Sequence, residues 1–300
     1  MHHRFAFHFP HRSIFPLFIL LTIASAGWCQ QPVNLWQDTS VRHGSSVTLT
    51  PFLAPDGDGT SVIVCPGGSY FWLDDDGEGT QVAQWLQRNG INAFVLRYRA
   101  AGFAAFFTHY RIVARGKQYP DMLSDLEQAL DYLRTHAAEL LVDTSRIGAM
   151  GFSAGGHLVM SLACYSHRQL PRLAFLAPIY PVVSMAHPAT HTRSRRALMG
   201  EWGRHNKTMR DSLSIEQHIP SDCPPVFLVN CVDDPVVDYR NSVLLDSALS
   251  AQNIPHRYIQ YQTGAHGFGV SPSKGSPECR PWKDQFLLWL RSILGKKTCN

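Results

Sequence analysis

Arg146-Ile147-Gly148-Ala149-Met150-Gly151-Phe152-Ser153-Ala154-Gly155-Gly156-His157 decides how this chain is read. Arg146 to Met150 reads as a strand and His157 to Cys164 as a helix, with Gly151 to Gly156 in the turn between them. A serine in such a turn is held in a strained conformation, and glycines two residues to either side let the neighbouring backbones pass close by. The helix that follows aims its N-terminus at the serine, which favours the negative charge that develops in acyl transfer. Ser153 is therefore the candidate nucleophile. The G-x-S-x-G spacing by itself is weak, and its weight comes from the strand before it and the helix after it.

The same rhythm extends in both directions. Val47 to Thr50, Ser61 to Cys65, Ile91 to Leu96, Leu173 to Ala177, Val226 to Asn230 and His256 to Tyr261 read as strands. Gly79 to Asn89, Met122 to Leu141, Ser242 to Gln252 and Trp282 to Leu294 carry helical spacing. Several strands are apolar throughout, which predicts an α/β fold with a mostly parallel central sheet covered by helices on both faces. Two segments break the pattern: residues 101–118, rich in aromatic and basic side chains, and residues 186–221, with Trp202 near the middle. Both follow strand ends, where open α/β sheets place ligands, so each reads as a cap or lid segment or as a packed surface excursion.

With 300 residues, 45% of them hydrophobic, the chain can bury a large core, and residues 30–300 read as one domain. A formal charge of +4, with basic residues scattered except at Arg193, Arg195 and Arg196, argues against a nucleic-acid partner. Residues 1–29 differ in kind. Basic residues and histidines precede an apolar run from Ile14 to Ala24 and a small-residue stretch, Ala24-Ser25-Ala26. This predicts a signal peptide cleaved after Ala26 or near Cys29, and a secreted or periplasmic protein with no stable membrane span after cleavage. The alternatives are an N-terminal anchor, for which the run is short, and lipidation of Cys29, which Trp28 fits poorly. Among the seven cysteines, Cys65, Cys164 and Cys231 sit in apolar runs as core residues, while Cys279 and Cys299 flank the last helix as a candidate disulfide. The cysteines show no C-x-x-C spacing, and neither a metal nor a cofactor is expected.

A serine hydroxyl becomes nucleophilic when a histidine takes its proton, and that histidine needs a carboxylate to hold its tautomer. After the strand Val226 to Asn230 comes Asp233-Asp234-Pro235-Val236-Val237-Asp238, and after His256 to Tyr261 comes Gly264-Ala265-His266-Gly267-Phe268. The order serine, acid, histidine is that of the α/β-hydrolase arrangement. His266 is the candidate base, and Asp233, Asp234 and Asp238 are the candidate acids. Pro66-Gly67-Gly68-Ser69-Tyr70 follows an early strand and offers the amides of Gly68 or Ser69, with that of Ala154, as an oxyanion hole. Tyr70, Phe106, Phe107 and Trp202 are candidates for contact with substrate.

With these pieces in place the chain resembles the α/β-hydrolase superfamily, and within it the small secreted esterases related to bacterial acetyl xylan esterases and feruloyl esterases. The likeness runs from about Thr60 to Leu294 and is carried by Val64-Cys65-Pro66-Gly67-Gly68-Ser69-Tyr70, Phe94-Val95-Leu96-Arg97-Tyr98-Arg99, the segment around Ser153, and Asp233-Asp234-Pro235-Val236-Val237. The resemblance implies a D-x-x-V turn for the acid, which selects Asp234 with Val237. Ser69 stands where the family commonly has a third glycine, Asp238 where a proline usually closes the turn, and the 101–118 insertion is long. The resemblance also implies a polysaccharide or small-molecule ester as substrate, in particular an acetylated or hydroxycinnamoylated plant-wall sugar. Relatives are sometimes labelled xylanases, yet no pair of carboxylates stands out as glycosidic cleavage would need. Two other readings compete. A prolyl-oligopeptidase-type peptidase shares the triad order but carries a propeller for which this chain has no room, and a silent binding protein on the same fold would not be expected to keep all three groups.

Overall fold

The computed structural model describes residues 31–36, 47–102, 107–108, 117–166, 168 and 172–295. The leader, Phe106 and most of the 101–118 insertion, Cys29 and Cys299 lie outside the described residues.

Among the described residues eight strands form one sheet: β1 (Val33–Asn34), β2 (Thr48–Phe52), β3 (Ser61–Cys65), β4 (Asn92–Arg97), β5 (Ile147–Phe152), β6 (Phe175–Ile179), β7 (Val226–Cys231) and β8 (His256–Tyr261). Their spatial order is β1-β2-β4-β3-β5-β6-β7-β8. The pairings of β2 with β1 and with β4 are antiparallel, and every other pairing is parallel. Every residue of β3, β5, β6 and β7 is buried, which is why these strands read as unbroken apolar runs rather than alternating ones. β8, at the sheet's edge, is half-exposed along its length.

Among the described residues seven α-helices accompany the sheet: α1 (Gln81–Arg88), α2 (Asp121–Thr135), α3 (Ala154–Tyr165), α4 (Thr192–Gly203), α5 (Lys207–Ser212), α6 (Arg240–Ala251) and α7 (Trp282–Leu294). They feed two separate apolar layers. Leu126, Leu130, Leu158, Val159, Leu245 and Leu249 bring α2, α3 and α6 into one. Val82, Leu86, Trp282, Phe286 and Trp289 bring α1 and α7 into the other. This is the mostly parallel, helix-covered sheet expected from the alternation of strand and helix, and the α/β-hydrolase architecture that the resemblance implies.

Two expectations are corrected. The helix predicted to run to Leu141 ends at Thr135. Beyond it the Leu141 carbonyl accepts from Asn92 Nδ2 at 2.8 Å and the Asp143 amide donates to Gly59 O at 2.9 Å, so contacts with the sheet's neighbourhood replace a further helical turn. Residues 186–221, irregular by pattern, carry α4 and α5, and Gly200 at φ 74° breaks α4 near its end. Residues 66–69, 153, 234 and 266 follow the C-terminal ends of β3, β5, β7 and β8 respectively, and so gather along one edge of the parallel sheet.

Candidate active site

Ser153 stands between β5 and α3 at φ 53°, ψ −116°, a conformation that a non-glycine residue holds only when its surroundings impose it. The surroundings are crowded. A Cβ on Gly151 would lie 2.0 Å from Gly155 O, and one on Gly155 would lie 2.1 Å from Cys65 O. The two glycines of the motif are therefore required by close backbone approach, one within the turn and one against the end of β3.

His266 Nε2 lies 2.9 Å from Ser153 Oγ, and His266 Nδ1 lies 2.6 Å from Asp234 Oδ2. With the proton on Nδ1, the imidazole donates to the carboxylate and accepts from the serine hydroxyl, the tautomer a general base needs. Asp234 has its other oxygen tied down, since Oδ1 accepts from the amides of Val236 at 2.8 Å and Val237 at 2.9 Å. The acid turn thus fixes the carboxylate before the histidine reaches it. Asp233 does different work. Its carboxylate accepts from the Gly264 and Ala265 amides, shaping the loop that carries His266. Asp238 pairs with Arg240 at the surface.

The loop after β3 turns sharply, with Gly68 at φ 132°, Ser69 at 58° and Tyr70 at 62°. Gly68 O accepts from the Phe71 and Trp72 amides, while the Gly67 amide is taken by Glu78 Oε2 at 2.7 Å. Gly67 is thereby removed from any oxyanion site. Among the described residues the amides of Gly68, Ser69 and Ala154 donate to no protein group. That of Ala154 opens α3, where the helix leaves its first N–H groups unpaired.

The candidates for substrate contact fare differently. Tyr70 is fully buried and its hydroxyl lies 2.8 Å from His157 Nδ1, so the left-handed turn aims it into the core under α3 rather than toward a ligand. Trp202, 87% exposed near the end of α4, and Phe107, 75% exposed, stand in solvent rather than walling an enclosed pocket. Nearer the triad are side chains that the sequence did not single out. His191 stands at the N-terminal boundary of α4, and burial first, then the charges of His266 and Arg193, hold it down at about 4 against the opposing charge of Asp234. Arg193 lies over the Trp72 ring at 5.7 Å. The Tyr180 ring centroid is 4.7 Å from that of His266.

A family model described as BD-FAE matches residues 61–249, more than half of the chain. The chain belongs to the BD-FAE family. Its similarity to an acetylxylan esterase of Xylanibacter ruminicola is 29% identity over 252 residues, covering 82% of this chain and 48% of that protein. An endo-1,4-β-xylanase B of Butyrivibrio fibrisolvens is 28% identical over 255 residues, covering 79% of this chain and 38% of the other. This BD-FAE chain thus spans less than half of the length of either of these two relatives. Among solved structures, an acetyl ester-xyloside bifunctional hydrolase from Caldicellulosiruptor lactoaceticus superposes with a TM-score of 0.75 at 27% identity, over 88% of this chain and 96% of that one. A carboxylesterase from Lactobacillus plantarum shares the fold, with a TM-score of 0.69 at 20% identity over 88% of this chain and 96% of that one.

In this BD-FAE chain, His157 is structural. Burial holds its imidazole down at about 4 against the hydrogen bond to Leu213 O, so it is neutral when folded. The unfolded chain protonates this group below about pH 6.5 and the folded chain does not until about 4, so stability falls as pH drops through that window. His157→Gln is expected to remove about 2 kcal/mol of the stability lost between pH 7 and pH 5, read from urea midpoints at the two pH values. Among the described residues no group of three or more His, Cys, Asp or Glu is arranged to hold a metal, and no helix is long and apolar enough to cross a membrane.

Proposed function

We propose that the chain is a serine carboxylic ester hydrolase. Ser153 Oγ attacks the ester carbonyl as its proton passes to His266 Nε2, and Asp234 holds the ring and stabilises the imidazolium that forms. The amides of Gly68, Ser69 and Ala154 receive the oxyanion of the tetrahedral intermediate, each worth about 3 kcal/mol. Collapse of that intermediate expels the alcohol, which takes its proton from Nε2. Water then attacks the acyl-serine by the same route in reverse, releasing the carboxylic acid.

The observation that carries this reading is the unbroken hydrogen-bonded line from Ser153 through His266 to Asp234, with free amides beside it. The names of the relatives support an acetylated xylan-type carbohydrate as the substrate class, the resemblance carried by the sequence motifs adds hydroxycinnamoylated plant-wall sugars, and the basic-then-apolar leader supports export.

The test is a substrate panel: p-nitrophenyl acetate, acetylated and feruloylated xylo-oligosaccharides, xylan, and a peptide p-nitroanilide. Turnover of the acetyl or feruloyl esters, without cleavage of the anilide or of glycosidic bonds, is expected. Anilide turnover matching the esters would replace the esterase with a peptidase, and no turnover or fluorophosphonate labelling would leave a binding protein.

A further inference from the structure

Glu78 is a buried acid outside the hydrogen-bonded line of Ser153, His266 and Asp234. It stands on a π-helical turn, Asp75–Thr80, that leads into α1, and is 4% exposed. Its two oxygens reach opposite sides of the site. Oε2 accepts from the Gly67 amide at 2.7 Å, and Oε1 accepts from the Tyr180 hydroxyl at 2.8 Å. The Tyr180 hydroxyl in turn accepts from the Gly269 amide at 3.1 Å, three residues beyond His266. One carboxylate therefore ties down the loop of Gly67-Gly68-Ser69 and, through one phenol, the loop that carries His266. It shares the neighbourhood of Gly67 with the serine, since a Cβ on Gly67 would sit 2.5 Å from Glu78 Oε2 and 2.9 Å from Ser153 Cβ.

No lysine or arginine pairs with Glu78 among the described residues. Burial raises its carboxyl above the usual carboxylate range, opposed by His266 and by the donors on Tyr180 and Gly67, and Asp74 on the same turn repels it. A buried charge with no cation to offset it is a poor device for stability, and such groups persist where function needs them.

We propose that Glu78 is a positioning residue that, as a carboxylate, holds the oxyanion loop and the histidine loop in register and adds a second negative charge beside the His266 imidazolium. The proposal rests on the esterase reading. When Ser153 gives up its proton, the charge that appears on His266 is balanced by Asp234 at Nδ1 and by Glu78 in the protein behind the serine. Removing the Glu78 charge makes the imidazolium less favourable. Two consequences follow: kcat falls, and the acid limb of the rate profile, where His266 takes up a proton, moves to lower pH. The other groups facing His266 are Asp234 from the β7–α6 turn, His191 at the start of α4 and the Tyr180 phenol, all retained in the variants at residue 78.

The experiment measures kcat, KM and melting temperature for the full chain, Glu78→Gln, Glu78→Asp and Ser153→Ala on p-nitrophenyl acetate from about pH 5 to 9. In Glu78→Gln, kcat is expected to fall roughly 10- to 100-fold with KM within about threefold, as for a misplaced reacting group. The acid limb moves down by about half a unit and the melting temperature does not fall. Glu78→Asp keeps its acid limb at the wild-type position. A Glu78→Gln protein with kcat within about twofold of wild type and an unmoved limb overturns the proposal, as does an equal movement of the limb in Glu78→Asp. Should Glu78→Gln not fold, Tyr180→Phe cuts the link to the Gly269 amide and is expected to lower kcat with the carboxylate still present, and wild-type kcat there overturns the proposal. Turnover in Ser153→Ala within about tenfold of wild type removes the serine-esterase reading itself, whereas a loss of several orders of magnitude there beside wild-type kinetics in Glu78→Gln removes only the role of Glu78.

Discussion

Ser153→Ala and His266→Ala are each expected to lower kcat on p-nitrophenyl acetate by roughly four to six orders of magnitude, and the double variant by little more than either alone. The reason lies in how the groups act. In the proposed mechanism the hydroxyl attacks as the imidazole takes its proton, across a single hydrogen bond of 2.9 Å, so removing either partner removes the same step. The residual rate comes from the free amides around Gly68, Ser69 and Ala154 and from substrate binding, which neither substitution touches. Stopped-flow or endpoint assays at substrate saturation measure this directly. Additive losses in the double variant would mean that the two side chains serve separate steps.

The second large effect separates two adjacent acids. Asp234→Asn is expected to lower kcat by about 10⁴-fold, because an asparagine amide at this position offers a donor to Nδ1 and favours the tautomer that cannot accept from the serine. Asp233→Asn is expected to stay within about tenfold, since Asp233 holds the Gly264 and Ala265 amides and does not touch the imidazole. The pair differ by one position in the chain and by one hydrogen bond of 2.6 Å to His266. Equal losses, or a larger one at Asp233, would move the acid's role to the wrong side of the turn. Parallel kcat measurements on the two variants decide it.

Much of this arrangement was legible in the sequence, for physical reasons that differ by element. β3, β8 and α7 fall at their predicted bounds, β3 because a strand buried on both faces is apolar at every position, and α7 because Trp282, Phe286 and Trp289 repeat at helical spacing on one face. The meeting of Ser153, His266 and Asp234 was legible because each follows a parallel strand, and parallel strands share one end. Helices α4 and α5 were not legible. Arg193, Arg195 and Arg196 crowd the first turns of α4, and Gly200 breaks it, so the segment carries no clean apolar stripe. Glu78 was missed for a related reason: in Asp74-Asp75-Asp76-Gly77-Glu78 it reads as one more solvated acid, and its partners Gly67 and Tyr180 come to it only through the fold. Tyr70, a candidate for substrate contact in the sequence, instead follows the left-handed backbone at Ser69 and Tyr70, and its hydroxyl meets His157. His191 gave no signal beyond being one of several histidines in an irregular stretch.

The central claim is that one serine, activated across the sheet edge by a histidine that follows the last strand, forms the acyl-enzyme. Intact-mass and peptide-mass spectrometry of the protein titrated with a fluorophosphonate tests it most directly. The account predicts a single phosphonyl adduct on Ser153, with ester turnover lost in proportion to labelling and no labelling in Ser153→Ala. Ester turnover that persists in the fully labelled protein, or an adduct on another residue that tracks the loss of activity, would contradict it.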